Sequence, residues 1–582
     1  MNTRKSPVNW LDHEITNEDS LHIDWKLAKL INMDHDVEDF LGKGARNYAF
    51  VQKGPNAFIL LVASTLATDR TCREVLLSAV ERRSSTLIEK HVVAPSVLKV
   101  VLEKLSKKNS GDATPKRADS DTIRAFNDIV CMAAQLDSSD IHFRGDRRNP
   151  RVEFRVLGTI RNSGLQLSYD RMQELLSAQY QTQAEENSNT GSALTFRTQQ
   201  RAAFPINIEI NDKPQSLKLR FEVTNSSSGF HSAMRIAWMS GDKVKKGESL
   251  EHDLLKRGYH ADQAEMISAV AYKDGGGMVI AGATGSGKTQ TLYNIMRWIS
   301  THENIAITVE DPIEGDLEIP TQIPVVRREG QTLDEAIGAI IKAILRLDPD
   351  IALISEIRGR EAGSGFQQLV QAGHKTLTTV HADSPIEIYE RLVSDEIGVD
   401  RSVLSTPDKL TLGIYQRLVQ VLCPYCGINH SKAGVTAKYM RDIERATGVN
   451  DLSLVRFRNE SGCEACNAVS PIPGVIGREV AASVWLPDDE TLLLLRSKLV
   501  TEAVREFQSR RKAIDDPGTD GCSAAEVGMQ KMLLGRVSPR EIGAFEPFGL
   551  YADKQAELSR RIRKAASGAV LAVVPPHVAG GS

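Results

Sequence analysis

Gly282-Ala283-Thr284-Gly285-Ser286-Gly287-Lys288-Thr289 leaves the chain few ways to fold. It is a phosphate-cradling pattern, with Gly at the first and sixth places, then Lys and Thr. Phosphates need several backbone N–H groups aimed inward, and glycines let the backbone bend and approach closely. The helix that follows presents its positive N-terminal end. Lys288 brings a mobile charge for the outer phosphates, and Thr289 a hydroxyl for Mg²⁺. The flanks agree. Met278 to Ala281 reads as a short buried strand, and Leu292, Ile295, Met296 and Ile299 recur at helical spacing. The bland alternative is a Gly/Ser turn that happens to end in Lys-Thr.

A chain of 582 residues has room for about three to four domains. Its balance of 72 basic and 75 acidic residues gives a net charge of −3, so no global field points to nucleic acid or acidic lipid. Met1 to Asp19 mixes both charges without an apolar core and does not read as a signal peptide. No apolar run reaches the length of a membrane span. Any membrane contact is therefore expected to go through partners, with a cytoplasmic location.

Residues 1–105 read as a small N-terminal α/β interaction domain. Ala57 to Ala63 and Leu87 to Val93 are its strands, Asp69 to Arg82 and Ser96 to Leu105 its helices. His35 reads as a surface group. Residues 106–120 are polar and form a linker. Residues 121–240 read as an α+β, PAS-like domain with an antiparallel sheet. A helix there presents Ile123, Phe126, Ile129 and Val130 on one face, and Gln181 to Thr190 is a polar loop. Arg220 and Arg235 fall on neighbouring strands. They are solvated sheet arginines, or they supply charge to a phosphate in an adjoining subunit. Residues 241–250 are a second linker, and 251–548 form an α/β P-loop core. Residues 549–582 read as a basic helix and a disordered tail.

Within the core, polar groups recur where strands end, which is where ligands gather in open parallel sheets. Asn304 to Val309 ends at Glu310-Asp311-Pro312-Ile313-Glu314. These acids hold Mg²⁺ or orient a nucleophile, or they make an Asp-Pro turn. Leu333, Ile337, Ile341, Ile344 and Leu345 form a helical stripe. Ile351 to Ile354 then ends at Ser355-Glu356, a Walker B pattern whose carboxylate can orient the attacking water. The strand opened by His374 ends at His381, a structural histidine or one that contacts the terminal phosphate.

Cys423-Pro-Tyr-Cys426 and Cys463-Glu-Ala-Cys466 suit tetrahedral Zn²⁺ in a closed, structural Cys₄ site. Disulfides, or two chance pairs, are the alternatives. Cys72, Cys131 and Cys522 stand alone and read as buried thiols. Further on, Met529, Met532, Leu533 and Leu534 read as core. Ser538 reads as a helix cap with Glu541 completing a capping box.

Together these blocks resemble the secretion ATPase superfamily, in its type II secretion and type IV pilus assembly branch. The resemblance covers roughly residues 120–545. Its P-loop block matches Gly282 to Tyr293, its acidic box Thr308 to Glu314, its Walker B block Leu345 to Arg358 and its histidine box Gly373 to His381. Gln416-Arg-Leu-Val419 to Cys426, the second cysteine pair and Gly477-Arg478 also match. The resemblance implies a RecA-like fold for the core over 251–548, a homohexamer with ATP between subunits, and Lys288 and Thr289 on phosphate and Mg²⁺. It makes Glu356 the catalytic glutamate, with Glu310 in the acidic box, His381 in the histidine box and Arg220 and Arg235 as arginine fingers. The implied partners are an inner-membrane platform protein, a membrane-anchored adaptor and, indirectly, pilins or pseudopilins.

The sequence departs from that pattern at Ser355 (Gly in the family), Gly359 (Asp), Ala382-Asp383 (Thr-Asn) and near Leu157, where an Asp is missing. The leading expectation is an ATP-driven motor for pilus assembly or type II-like protein secretion. A nucleic-acid translocase of a conjugation or DNA-transfer system is the alternative, although no basic stretch interleaved with aromatics supports direct nucleic-acid binding. A nucleotide-binding scaffold with little hydrolysis is the third reading.

Overall fold

The computed structural model describes residues 21, 29–31, 48–54, 57–64, 88–94, 97–98, 101–102, 117–185, 194–210, 213–239, 247–327, 330–558 and 560. His35, Cys72, the helix expected over Asp69 to Arg82 and the C-terminal tail lie outside them. The chain divides into two compact units.

One unit holds residues 1–126 with 173–182 and 191–194. Its sheet runs β1 (Lys29–Ile31), β2 (Tyr48–Gly54), β3 (Ala57–Ala63) and β4 (Ile88–Val93) in that order. The β3–β4 pair is parallel and the others are antiparallel. Ile59 to Ala63 are buried on both faces, as an inner strand without polar alternation demands. Val97, Leu98 and Val101, from the helix expected over Ser96 to Leu105, pack into the same core.

The other unit carries two sheets. The first has six antiparallel strands in the order β7-β6-β5-β10-β9-β8. These are β5 (Ser138–Asp146), β6 (Arg151–Val156), β7 (Thr159–Asn162), β8 (Gln200–Ile210), β9 (Lys213–Ser226) and β10 (Gly229–Trp238). Val152, Phe154 and Val156 point inward at every second place, which fixes the register of β6.

Two helices, α1 (Arg117–Gln135) and α2 (Tyr169–Gln183), are shared between the units. In α1, Phe126, Ile129 and Val130 are buried as their spacing requires. The helix begins at Arg117, so the end of the stretch read as linker is helical. Likewise α2 takes up the first three residues of the loop expected from Gln181, and Ser168 Oγ caps it by accepting from Arg171 N at 3.2 Å.

The second sheet has seven strands in the order β13-β12-β14-β15-β11-β16-β17. They are β11 (Gly277–Ala281), β12 (Ala306–Glu310), β13 (Thr321–Pro324), β14 (Ile351–Ile354), β15 (Lys375–Val380), β16 (Leu410–Leu422) and β17 (Val475–Trp485). All pairs are parallel except β16–β17. Helices cover both faces, so β11 and β14 read as unbroken apolar runs and even the threonines of β15 are buried.

Val279 and Ala281 join one layer with α6 (Leu333–Ile344), α7 (Arg360–Ala372) and α8 (Pro385–Leu392). Met278 and Ile280 join the opposite layer with α3 (Leu250–Lys256), α4 (Ala261–Tyr272) and α5 (Lys288–Ile299). The stripes expected on α5 and α6 face these layers: Leu292, Ile295, Met296 and Ile299 in one, Ile337, Ile341 and Ile344 in the other.

Local expectations near the C-terminus need correction. Met529 and Met532 of α9 (Ala524–Leu533) are buried, but Leu534 is exposed, because the helix has ended and the chain turns at Gly535. Ser538 does start α10 (Pro539–Gly543), yet its hydroxyl makes no capping bond. Glu541 Oε1 instead accepts from Gln420 N at 3.3 Å, so no capping box forms. Cys131 is half-buried rather than buried, whereas Cys522 is buried as expected.

Phe366 of α7 is fully buried beneath the start of β11, where a Cβ on Gly277 would lie 2.5 Å from its Cζ. We expect Phe366→Ala to cost about 3–5 kcal/mol of core stability. Denaturant titration of the full chain followed by far-UV circular dichroism measures it, and an unchanged core midpoint would contradict this packing.

Candidate active site

Strand order decides what meets at the carboxyl edge of the second sheet. β12, β14, β15 and β11 are neighbours, and their ends lie within two residues of level: Val309 pairs with Ile354, Ile354 with Thr378, and Ala281 with Val380. The residues just beyond are therefore brought side by side. They are the acidic box after β12, Glu356 after β14, His381 after β15 and the glycine loop after β11.

The loop residues Gly282, Gly285 and Gly287 have φ of 149°, 78° and 84°, a region closed to most side chains. A Cβ on Gly282 would also fall 2.3 Å from the Gln416 carbonyl oxygen. Gly287 precedes α5 and offers no side-chain cap, so nothing competes with an anion for the first-turn N–H groups. Ala283, Thr284 and Gly285 are exposed at the tip, and Thr289 is half-buried. Ser286 Oγ is buried and has no hydrogen-bond partner among the described residues. An anion fits this loop better than empty water does.

Lys288 Nζ folds back onto the loop, donating to the Gly282 and Ala283 carbonyls at 2.7 and 3.2 Å. Burial pulls its pKa below the usual lysine value, while Glu356 and Glu314 work against that shift. An ammonium ion held by two neutral carbonyls in this setting gains strongly from an arriving phosphate.

Glu356 lies between two basic groups. Arg358 Nη2 donates to its Oε2 at 2.7 Å, and His381 Nε2 is 3.1 Å from its Oε1. Behind it the backbone is pinned: Ser355 N donates to Val309 O at 3.0 Å, and Thr379 Oγ1 donates to Ser355 O at 2.7 Å. Walker B glutamate and strand-end histidine are thus one cluster. His374 precedes β15, at the far end of the strand from that cluster.

The acidic box splits in two. Glu310 closes β12 with 1% of its surface exposed. Its Oε1 accepts from Thr308 Oγ1 at 2.6 Å and Gln322 Nε2 at 3.0 Å, and its Oε2 accepts from the Tyr293 hydroxyl. Burial and this carboxylate push the Tyr293 phenol far above its ordinary pKa, so it remains a donor. The same hydroxyl accepts from Glu314 N at 3.1 Å. Glu310 therefore organises the box from beneath.

Glu314 is the half that looks outward. It meets Arg220 Nη2 at 3.0 Å, and the same nitrogen donates to Pro312 O at 3.1 Å. Arg220 thus rests on the acidic box of its own chain. Arg235 sits directly opposite it across the β9–β10 pair, and its Nε is 3.3 Å from Asp140 Oδ1.

Gln416 gained no role from sequence reasoning. It is fully buried on β16, accepts from Tyr259 OH at 2.7 Å and Thr291 Oγ1 at 3.1 Å, and donates to Ser286 O at 2.8 Å. One amide thus ties the glycine loop to α5 and to the segment between α3 and α4. The available signal was a glutamine directly after the apolar run Leu412-Gly-Ile-Tyr415. Tyr293, Gln322 and Arg358 were missed as well, because only the fold brings them to the cluster.

The four paired cysteines also converge. Their sulfurs all lie within 4.8 Å of one another, with Cys423–Cys463 at 3.7 Å and Cys426–Cys466 at 3.9 Å. Tetrahedral thiolates around a zinc ion stand about 3.8 Å apart. None of the four is in a disulfide. Although burial pushes the Cys466 thiol up, N–H donors from Cys463 and Gly474 at 3.1 and 3.2 Å bring it down to about 7, which favours a metal-ligating thiolate.

A family model described as "Type II/IV secretion system protein" matches residues 116–533. Type II secretion system protein E of Klebsiella pneumoniae is 28% identical over 439 residues, covering 75% of this chain and 78% of that protein. Type IV pilus assembly ATPase PilB of Pseudomonas aeruginosa is 28% identical over 366 residues, covering 62% of this chain but only 58% of that protein. Among solved structures, the Legionella pneumophila ATPase DotB is similar at a TM-score of 0.47 and 18% identity, covering 71% of this chain and 92% of that one. Since the family model spans well over half of its length, the chain with these aligned strand ends belongs to the type II/IV secretion system protein family.

Proposed function

We propose that this chain works as a homohexameric motor, with ATP held near subunit boundaries, that powers type IV pilus assembly or type II-like protein secretion. The chain is an ATPase of its family. In our reading its force passes to an inner-membrane platform protein, and a membrane-anchored adaptor holds it at the cytoplasmic face. Among the described residues no helix is long and apolar enough to cross a membrane. Residues 1–105 are an interaction domain, and 106–116 and 241–250 act as linkers. The PAS-like domain, 121–240, carries Arg220 and Arg235, and the RecA-like domain, 251–548, hydrolyses ATP.

The observation that carries this reading is the cluster of Glu356, His381 and Arg358 beside a lysine-bearing glycine loop. ATP displaces the Gly282 and Ala283 carbonyls as the partner of Lys288, while the loop N–H groups hold the phosphates. The Thr289 hydroxyl would hold Mg²⁺, which would supply positive charge against the outer phosphates. Glu356 orients the attacking water and takes its proton, leaving ADP and phosphate. His381 would hold the second carboxylate oxygen, from which its Nε2 stands 3.1 Å away. Glu310 acts through Tyr293 and Gln322 to hold the acidic box, and Arg220 and Arg235 meet charge that develops on the terminal phosphate. Cys423, Cys426, Cys463 and Cys466 would hold Zn²⁺ with no open position, so that site is structural.

Steady-state turnover of the full chain tests the assignment. Glu356→Gln should lower kcat by about 100-fold or more while ATP still binds, and Lys288→Ala should weaken binding itself. Wild-type turnover in either variant would sink the reading. Arg220→Ala should lower kcat by about tenfold or more without loss of fold, because its role is paired to charge in the transition state. For the cysteine site, metal analysis should find zinc that Cys466→Ser no longer retains, with a lower thermal midpoint. A metal-free wild-type chain of full stability would refute it.

A further inference from the structure

Helix α7, which follows the Glu356 loop, has no cap of its own. Its N-cap residue is Gly359, which offers no side chain. The helix start is nevertheless satisfied. Asp334, in the first turn of α6, accepts from Glu361 N with Oδ2 at 2.8 Å and from Ala362 N with Oδ1 at 3.0 Å. One carboxylate from a different helix thus does what an N-cap side chain ordinarily does.

Gly359 is what makes room. A Cβ there would lie 2.6 Å from Asp334 Cγ and Oδ2 and 2.9 Å from Oδ1. Its backbone is extended, at φ −144° and ψ −176°, which any residue adopts. Space alone therefore excludes a side chain at 359, and the two positions form one steric and hydrogen-bonded unit.

We propose that Asp334 is a positioning residue for Glu356 and Arg358. The connection from β14 to α7 spans 355–359. Its front half is tied to the sheet, with Ser355 N donating to Val309 O and Ile357 N to Thr379 O, each at 3.0 Å. Its rear end is tied by Asp334. The anchor is itself fixed, because Thr332 and Glu335 close a capping box around the start of α6. The two helices also pack closely: a Cβ on Gly338 would meet Glu361 Cβ at 2.6 Å, and one on Gly365 would meet Ile341 at 2.7 Å. Losing the Asp334 bonds frees the end of the loop nearest Arg358 while leaving the glycine loop and Lys288 untouched.

This inference rests on the assignment of Glu356, and its test is built to fail separately. ATPase kinetics of the full chain should show kcat of Asp334→Ala falling about 10- to 100-fold with KM for ATP nearly unchanged, since misplacement of a reacting group acts on the chemical step. Gly359→Asp alone should be similarly slow, with two carboxylates competing for one space. The double variant Asp334→Ala/Gly359→Asp returns a carboxylate to the N-cap and should recover kcat to within about threefold. Asp334→Asn, which keeps one acceptor oxygen, should fall between, and covers the case in which the alanine variant is too unstable to assay. Wild-type kcat in Asp334→Ala, or a double variant that folds with a wild-type thermal midpoint and stays as slow as Asp334→Ala, would overturn the proposal. Wild-type turnover in Glu356→Gln would instead remove its premise.

Discussion

Parallel pairing of four neighbouring strands, ending within two residues of one another, is the constraint on which the rest of this ATPase depends. A parallel ladder sends every strand end to the same edge of the sheet. The order β12-β14-β15-β11 then sets acid, glutamate, histidine and glycine loop next to one another. Helices on both faces keep the strands dry, so charges at their ends sit against a low-dielectric wall where each interaction gains strength. A one-place slip of β14 against β15 would move Glu356 away from His381 while leaving every motif in the sequence intact.

That edge mixes groups that move with groups that do not. Glu310 is enclosed by Thr308, Tyr293 and Gln322 and cannot leave without stranding several buried hydrogen-bonding groups. Gln416 is equally fixed between the glycine loop, Tyr259 and Thr291. By contrast Lys288, Glu356 and Arg358 hold one another or the backbone at the surface of the site, where an incoming phosphate offers each cation a better partner. A rigid lower layer therefore carries an exchangeable upper one, which is the preorganisation that electrostatic catalysis requires.

The core was largely legible from the residues because its signals are local. Glycines at positive φ, a helical stripe on α5 and apolar strands ending in polar groups are each written within a few neighbouring positions. Cys423, Cys426, Cys463 and Cys466 were legible through their doubled spacing. What could not be read was contact between distant segments. Nothing around Gln416 announces Ser286, and nothing around Asp334 announces Gly359, although the departure at Gly359 becomes intelligible once Asp334 occupies the space above it. Nor could the burial of Glu310 and of Glu314 be told apart within Glu310-Asp-Pro-Ile-Glu314, because only the end of β12 decides which one is buried. The missed capping box at Ser538 has the same origin: Glu541 is drawn instead to Gln420 N, on a strand far away in sequence.

The two arginines show how the antiparallel sheet is coupled to this edge. Arg220 and Arg235 face each other across β9 and β10, and like charges directly opposite destabilise a sheet pair. Each is relieved by a different acid. Asp140, on β5 of the same sheet, takes Arg235, whereas Glu314, in the acidic box of the core, takes Arg220. Burial lowers the Arg220 pKa and the Glu314 carboxylate opposes that shift, so the guanidinium stays charged beside it. A phosphate bound beside Lys288 adds negative charge near Glu314, and Arg220 is then shared between the two. Arg235 has no such choice while Asp140 holds it. Of the two, Arg220 is therefore the one that a bound phosphate would reach first, through Glu314.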